Sequence, residues 1–253
     1  MRQGKLFIIV VVIISIILIQ PNVFKAVKQV LLPRSFSDQI AGGQTSEQEL
    51  NKMLADKVFE GQRVIQVNNN VPVFTQEELS LKNDHWKKFS DLDFLNRVGQ
   101  AEAMISQRSL PKTKRGDISS VQPTGWKNKQ IIFNGEPSYL YNRCHLIAFS
   151  LSGENANPKN LFTGTRALNA DSADEMQSMV YYEKLIANYI RQTDHHVLYR
   201  VTPIFKGLDL VAKGVRLEAK SVEDNNIEFN IFIFNVQPGY KINYLDGTSI
   251  KER

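Results

Sequence analysis

Four apolar stretches in the C-terminal third of the chain have the composition and spacing of β-strands. They cover residues 196–205, 210–221, 227–236 and 240–244. Asp224-Asn-Asn226 supplies a turn between two of them, and Asp246-Gly247 supplies another. Within the third stretch both sets of alternate residues include large apolar side chains: Phe229, Ile231 and Ile233 in one set, and Asn230, Phe232 and Phe234 in the other. Because alternate side chains point to opposite faces, this pattern predicts a sheet that is covered on both faces at its centre.

The strongest helical pattern precedes these strands, at residues 171–192. Ser172-Ala-Asp-Glu175 has the form of a capping box, which favours a helix start. The side predicted to be buried recurs at intervals of four and three residues and includes one carboxylate: Met176, Val180, Glu183, Ala187 and Ile190. Upstream, residues 130–142 contain a turn at Gly135-Glu-Pro137 and are typical of a β-hairpin that leads into His145.

The N-terminus has the features of an export segment. Arg2 and Lys5 precede an apolar run at residues 6–19 that only Ser15 interrupts. The run is short for a membrane-spanning helix, but further apolar residues extend it and no small-residue cleavage site follows. We therefore predict an uncleaved hydrophobic anchor helix within residues 1–32, a tether at 33–62 and a globular domain at 63–253. The globular domain is expected on the extracytoplasmic face of the cell membrane, or secreted if the segment is cleaved.

The formal net charge of +5 is concentrated between residues 108 and 129. This segment contains one acid, Asp117, and six cations: Arg108, Lys112, Lys114, Arg115, Lys127 and Lys129. Concentrated positive charge attracts polyanions, because each phosphate that it neutralises releases a counterion. A solvated, lysine-rich surface loop is the alternative interpretation. The segment is also rich in Pro and Gly, and we interpret it as a long ordered loop across a functional face. We refer to residues 108–129 as the basic loop.

The chain has a single cysteine, Cys144, so an internal disulfide is excluded. The four histidines are scattered and form no zinc motif with it. Arg143 and His145 are two residues apart, so on an extended strand both side chains point to the same face and Cys144 points to the other. This alternation disfavours a Cys-His hydrolase, in which the thiolate and the imidazole must be in mutual reach.

His145 and Arg143 together indicate chemistry on a phosphodiester. The imidazole can act as a base near neutral pH, and the guanidinium can bind a phosphate oxygen and discourage protonation of His145. Asn160 and Asn169 are candidate ligands or orienting groups for Mg²⁺, since an amide oxygen is a hard, neutral donor. A role as turn or cap residues is the alternative, which we accept for Asn155 and Asn157. Glu183 either hydrogen-bonds a metal-bound water or pairs with an arginine such as Arg166.

Several motifs resemble the DNA/RNA non-specific endonucleases, most closely the bacterial branch with DNA-entry nuclease and secreted streptococcal DNases. They are Tyr141-Asn-Arg-Cys-His-Leu-Ile147, Asn157-Pro-Lys-Asn-Leu161, Thr163-Gly-Thr-Arg-Ala-Leu-Asn169, Tyr199-Arg-Val-Thr-Pro203, Pro123-Thr-Gly-Trp126 and Asn235-Val-Gln-Pro-Gly239. The resemblance implies an α+β fold in which helices flank a central antiparallel sheet that carries a ββα-metal, or His-Me finger, site. It also implies one Mg²⁺, with Mn²⁺ able to substitute, and 5′-phosphorylated products from DNA and RNA.

By position in these motifs, His145 matches the general base, Asn169 the metal ligand and Arg143 the arginine of Asp-Arg-Gly-His. Asn160 matches a further active-site asparagine. Either Arg108 or Arg115 fills the role of a second phosphate-binding arginine. The chain departs from the family twice: Asn142 replaces the first acid of the motif, and Gln177 stands where some members have an acid, so that Glu183 is expected to replace it.

The sequence thus predicts a sequence-non-specific, Mg²⁺-dependent nuclease that needs no obligate protein partner. Its catalytic residues are expected to be His145, Arg143, Asn160 and Glu183, with Asn169 on the metal. The nucleic-acid-binding residues are expected to be Arg108, Lys112, Lys114, Arg115, Lys127 and Arg166. The alternative is a surface receptor that binds nucleic acid through the basic loop without cleaving it. A peptidase or a sugar hydrolase is disfavoured, because neither paired carboxylates nor a Ser-His arrangement stands out.

Overall fold

The computed structural model describes residues 46–252. The anchor predicted within residues 1–32, and the first part of the tether, lie outside the described residues. Within 46–252, no helix combines the length and the apolar character needed to cross a bilayer.

The described chain contains four α-helices and twelve strands, with short 3-10 turns between some of them. In chain order they are α1 (Glu47–Asp56), β1 (Val64–Gln66), β2 (Trp86–Phe89), β3 (Ala101–Ile105), β4 (Gln130–Phe133), β5 (Glu136–Tyr139), β6 (Tyr141–His145), α2 (Phe149–Ser152), β7 (Leu161–Thr165), α3 (Arg166–Asn169), α4 (Met179–Thr193), β8 (Val197–Ile204), β9 (Gly214–Ser221), β10 (Glu228–Phe234), β11 (Tyr240–Ile242) and β12 (Ser249–Lys251). Three of the four C-terminal stretches predicted as strands form β8, β9 and β10. The fourth forms β11, which pairs with β12 instead of joining them.

Six strands form one antiparallel sheet in the order β1-β10-β9-β8-β3-β2. Both faces are covered at its centre, as the alternation in β10 predicts. Phe232 and Phe234 pack with Leu54 of α1 on one face. On the other face Phe229 contacts Tyr182 of α4, with ring centroids 5.1 Å apart. The predicted α+β fold with a central antiparallel sheet is confirmed.

Helix α4 begins at Met179, eight residues later than the sequence predicts. The residues before it form turns, because Asp171 accepts hydrogen bonds from the backbone of Ala173 and Asp174 and is ion-paired with Arg63. The predicted buried side is also displaced. The buried residues of α4 are Met179, Tyr182, Ile186, Ala187, Tyr189 and Ile190. Val180 and Glu183 are only half-buried, because they line the cavity described below.

The predicted hairpin before His145 is present as β4 and β5, which pair from Gln130↔Tyr139 to Phe133↔Glu136. Its turn is made by Asn134 and Gly135, whose φ angles of 53° and 82° lie in the left-handed region. Two consecutive positive φ angles match the right-handed twist of a hairpin. The chain then enters β6, which pairs with β7 rather than continuing the hairpin.

Helix α1 lies within residues 33–62, the predicted tether. Ser46 caps the helix by accepting a hydrogen bond from the Glu49 amide. Leu50 and Leu54 are buried against Val67, Ile204 and the phenylalanines of β10. The tether interpretation therefore does not describe α1, because this helix supplies part of the cover over one face of the sheet.

Replacement of Leu54 by alanine tests this packing. Leu54 is fully buried, so we expect Leu54→Ala to lower the free energy of unfolding by about 2–5 kcal/mol. Val58, which is 70% exposed just after α1, provides the matched control. Urea unfolding of both variants measures the difference. Equal stability of Leu54→Ala and Val58→Ala would show that α1 contributes nothing to the fold.

Candidate active site

Strands β6 and β7 and helix α3 form a compact β-strand, β-strand, helix unit. β6 pairs antiparallel with β7 from Tyr141↔Thr165 to His145↔Leu161, and α3 follows β7 without a linker. His145 therefore lies at the end of one strand, while Asn169 lies at the end of the helix. Both residues line the same cavity.

Two side-chain amides after β10 attach this unit to the central sheet. Asn235 accepts a hydrogen bond from the Thr165 amide at 2.8 Å and donates to the carbonyls of Thr163 and Ala212 at 3.0 Å. Gln237 accepts from the Ala167 amide at 3.0 Å. These buried contacts satisfy backbone groups at the free edge of β7 and at the start of α3. We refer to Asn235 and Gln237 as the amide clamp.

The cavity has a volume of about 710 Å³ and contains five of the predicted site residues. These are Arg115, Arg143, His145, Asn169 and Glu183. They come from the basic loop, β6, α3 and α4, so the fold brings together residues that are far apart in the sequence. A floor of apolar and aromatic side chains completes the cavity, including Trp126, Tyr141 and Phe149.

His145 is held in one orientation by a backbone carbonyl. Its Nε2 lies 2.8 Å from the carbonyl oxygen of Asn155, which can only accept, so Nε2 carries the hydrogen. In the neutral ring this leaves Nδ1 unprotonated and able to accept a proton. The side chain is 8% exposed, and burial lowers the pKa of His145 below its ordinary value, with the positive charge of Arg115 acting in the same direction.

Arg143 projects from the same face of β6 as His145 and is fixed by the basic loop. Its Nε donates to the carbonyl of Val121 at 2.5 Å, and Nη2 donates to that of Ser119 at 3.2 Å. The guanidinium lies 4.4 Å from the centre of the Trp126 ring. Trp126 itself follows Gly125, which must be glycine: a Cβ there would lie 2.4 Å from Val211, and φ is +66°.

Three residues of the cavity lining have side-chain oxygens without a hydrogen-bond partner in the described part of the chain. The side chains of Asn169 and Glu183 form no hydrogen bond or ion pair within residues 46–252. The side-chain oxygen of Asn142 is buried and has no hydrogen-bond partner in that range. Buried polar atoms are normally paired, so unpaired oxygens in one cavity indicate a site for a ligand or an ion. No ion pair links Glu183 to Arg166 in the described part of the chain.

Burial raises the pKa of Glu183 to about 8, and Arg115 opposes this rise only in part. An unpaired carboxylate of this kind is costly to bury unless a positive charge approaches it. A divalent cation in the cavity would supply that charge. The described residues contain no cluster of three His, Cys, Asp or Glu side chains suited to a metal. Any ion here would depend on amide oxygens, a carboxylate and water, which is a donor set that fits Mg²⁺.

The place of Asn160 differs from the prediction. It is fully buried outside the cavity, its Oδ1 accepts from the Ile147 amide at 2.9 Å, and its Nδ2 donates to the Ile147 carbonyl at 3.0 Å. Both ends of the amide are therefore occupied by the backbone two residues after His145. In this position the side chain of Asn160 holds the loop that follows β6 and does not face the cavity.

The six residues predicted to bind nucleic acid do not share one location. Arg115 lines the cavity. Arg108 lies elsewhere, 76% exposed and 3.8 Å from Asp84, and Lys127 is ion-paired with Asp246 at 2.9 Å. Lys112 and Lys114 are exposed on the basic loop, and Arg166 is half-buried on α3, outside the cavity lining. Of the two candidates for a second phosphate-binding arginine, Arg115 has the position that the role requires.

Asn155 has a role that sequence reasoning missed. Its carbonyl orients His145, while its side-chain Nδ2 donates to the carbonyl of Asp117 in the basic loop at 3.1 Å. The same residue thus connects His145 to the basic loop. No sequence signal could identify it, because any residue type supplies a carbonyl.

Cys144 lies on the opposite side of β6 from His145, as the alternation predicts. The thiol is 1% exposed, and burial raises its pKa well above the ordinary value. It packs against Gly164 of β7, where a Cβ would lie 2.4 Å from the sulfur atom. A buried thiol on this side cannot serve as a nucleophile in the cavity.

Comparison with known proteins relates this site to a family. Residues 79–223, more than half of the chain, match the family model described as DNA/RNA non-specific endonuclease. A deoxyribonuclease of Streptococcus dysgalactiae subsp. equisimilis is 31% identical over 163 residues, which are 63% of this chain and 47% of that protein. The chain thus spans about half the length of this relative.

Solved structures share the fold. NucA from Streptococcus agalactiae with magnesium bound has a TM-score of 0.69 at 24% identity, over 82% of this chain and 99% of that chain. The same nuclease without metal has a TM-score of 0.65 at 26% identity, over 83% and 98%. Sda1 nuclease with bound zinc has a TM-score of 0.58 at 25% identity, over 66% and 82%. The family match, together with the strand-strand-helix unit that carries His145 and Asn169, leads to one conclusion: the chain belongs to the DNA/RNA non-specific endonuclease family.

Proposed function

We propose that this protein is an endonuclease that hydrolyses phosphodiester bonds of DNA, and also of RNA, without sequence preference. The observation that carries the proposal is the convergence of His145, Arg143 and Asn169 on one cavity beneath a cationic loop. A base, a fixed cation and a metal-binding oxygen are the groups that this hydrolysis requires.

The proposed cofactor is one Mg²⁺, for which Mn²⁺ can substitute. Asn169 would hold the ion, and Glu183 would bind its hydration water. The unpaired state of both side chains, and the buried free oxygen of Asn142, support this proposal. Among the structural relatives, NucA binds magnesium and Sda1 nuclease binds zinc in their solved structures, which supports a divalent ion at this site. When bound, the ion supplies positive charge to the phosphate and an acidic water for the leaving oxygen.

His145 acts as the general base in the proposed mechanism. Because Nε2 donates to Asn155, Nδ1 is the nitrogen that removes a proton from the attacking water. The water oxygen then bonds to phosphorus while the bond from phosphorus to the 3′ oxygen breaks. The departing 3′ oxygen takes up a proton and becomes a 3′ hydroxyl, and the phosphate stays on the 5′ oxygen of the downstream fragment. The products therefore end in a 5′-phosphate.

Two arginines bind the phosphate in this proposal. Arg143 is held rigidly by the carbonyls of Val121 and Ser119, so it presents its charge to the cavity without losing further side-chain freedom. Arg115 is exposed at the cavity and can contact the phosphate as the substrate enters. Their positive charges also offset the repulsion between the anionic phosphate oxygens and the incoming nucleophile.

The proposed location of the protein rests on the N-terminal sequence. We propose that residues 1–32 anchor the chain in the cell membrane and that the nuclease domain, 63–253 with α1 packed on it, acts on the extracytoplasmic face. If the segment is cleaved, the enzyme is secreted. The proposed partners are the nucleic acid substrate and the membrane, with no obligate protein partner.

Substitution of the base and of the metal ligand tests the activity. We expect His145→Ala to reduce nicking of supercoiled plasmid by about 10²–10⁴-fold, the range for loss of one general base. Asn169→Ala should also reduce nicking, because the ion loses its protein ligand. Chelation of divalent ions should abolish nicking by the wild type. His85→Ala, which removes an exposed histidine outside the cavity, is the control and should retain activity.

Full activity of His145→Ala would end this assignment. Salt-sensitive DNA binding that survives chelation, without any nicking by the wild type, would support the nucleic-acid receptor instead.

The pH dependence tests the state of His145. Only the neutral ring accepts a proton, and its pKa is lowered by burial. Loss of kcat/KM with falling pH should therefore have its midpoint below the ordinary histidine value of 6.5. Steady-state rates on a fluorescent oligonucleotide across the acid range provide the measurement. A midpoint at or above 6.5 would contradict the buried, neutral base.

The two candidate phosphate-binding arginines provide a further test. Arg115→Ala should lower kcat/KM by about 10–100-fold, the loss of one charge-assisted phosphate contact. Arg108→Ala removes the same charge from the same loop but outside the cavity, so its effect should stay within about twofold at physiological salt, where distant charges are screened. Equal effects of the two substitutions would show that Arg115 acts only through net charge.

A further inference from the structure

The hairpin of β4 and β5 has two apolar faces, although only one of them is packed. Ile131 and Phe133 on one face belong to a small core with Leu140 and Tyr141. On the other face the pairs Gln130↔Tyr139 and Ile132↔Pro137 lie side by side. Ile132 is 65% exposed and Tyr139 is 55% exposed. A solvated face of a hairpin normally carries polar residues, so this apolar face indicates a binding surface.

This face forms one wall of a second cavity, of about 680 Å³. Its other wall comes from the C-terminal part of the chain, through Pro238, Gly239, Tyr240 and Lys251. We refer to this cavity as the hairpin groove. Tyr139 lines both the hairpin groove and the active-site cavity, so the two are neighbours that share one aromatic side chain.

The groove has the chemistry of a surface for nucleobases. Its walls present Ile132, two prolines and two tyrosines, with Lys251 as the cation and Glu252 as the one acid among its lining residues. The Nζ of Lys129 lies 5.0 Å from the centre of the Tyr240 ring, which adds positive charge behind that wall. Aromatic side chains bind single-stranded nucleic acid, because every base has a face that can stack on them. Lys251 and Lys129 supply positive charge for the phosphates of such a strand.

We propose that the hairpin groove holds unpaired nucleotides of the substrate strand to one side of the scissile phosphate, with a base stacked on Tyr139. The inference rests on the proposed endonuclease function and extends it, since it assigns a subsite to single-stranded nucleic acid. Continuity with the active-site cavity favours this occupant over an apolar protein segment. A fully paired duplex cannot use the subsite in the same way, because its bases are already stacked on each other.

The test compares substrates that do and do not extend beyond the active-site cavity. For the wild type we expect kcat/KM to be higher for a single-stranded DNA of about twelve nucleotides than for a dinucleotide, because only the former reaches the groove. The ratio of the two kcat/KM values is the readout. General damage to the active site lowers both values and leaves this ratio unchanged.

Tyr139→Ala should lower the ratio by about tenfold, the effect of removing one stacked base. Tyr139→Phe retains the ring and should retain the ratio. Phe94→Ala is the matched control, since Phe94 is an aromatic residue that is 82% exposed and lines neither cavity. An unchanged ratio in Tyr139→Ala would overturn the proposal.

Charge at Ile132 provides an independent test further along the groove. Ile132→Glu should lower the ratio, because a carboxylate repels the phosphates of the bound strand, while Ile132→Lys should raise it. The position is exposed, so neither substitution should impair folding. Equal ratios in both variants would also overturn the proposal. Failure of the endonuclease function itself gives a different result, in which the wild type cleaves neither substrate.

Discussion

The amide clamp of Asn235 and Gln237 is the interaction on which the geometry of the site depends. β7 and α3 would otherwise expose backbone amides at a sheet edge and at a helix start, where unpaired groups are costly. Asn235 supplies both an acceptor and a donor to this edge and also binds Ala212, next to the central sheet. The strand-strand-helix unit of β6, β7 and α3 thus takes its position from the sheet. An asparagine and a glutamine outside the cavity thus determine where the strand-strand-helix unit lies.

A second set of contacts fixes the position of the basic loop next to His145. Asn155 binds His145 through its carbonyl and Asp117 through its side chain, and Arg143 binds the carbonyls of Ser119 and Val121. The basic loop is therefore held against the cavity by Arg143 and by Asn155, the residue that orients His145. Its positive charge is thus fixed in place, and under the proposed function this reduces the reorganisation needed during the reaction.

The sequence predicted the parts of the structure that depend on local patterns. Alternation in β10 predicted the two covered faces, and the spacing of Arg143 and His145 predicted their shared face. The start of α4 was wrong, because Asp171 pairs with Arg63, which lies 108 residues earlier in the chain. The burial of α1 was missed for a similar reason, since its leucines pack on β10 near the other end of the chain.

Within the site, the residue types predicted which side chains take part, but they did not predict where each one lies. The motif spacing identified His145 and Asn169, which the fold brings together. It could not choose between Arg108 and Arg115, because that choice depends on the path of a loop without regular structure. The side-chain amide of Asn160 is hydrogen-bonded to the backbone of Ile147. A sequence alone does not tell whether an asparagine side chain binds an ion or the backbone of its own chain.

The amide clamp also has a consequence for the dynamics of the enzyme. The backbone N–H groups of Thr165 and Ala167 are covered by side chains that belong to the segment after β10. For these protons to exchange with deuterium in solvent, the strand-strand-helix unit must separate from the sheet. Slow exchange at these two positions would therefore be a property of the whole domain, and the catalytic unit would open only when cooperative structure is lost.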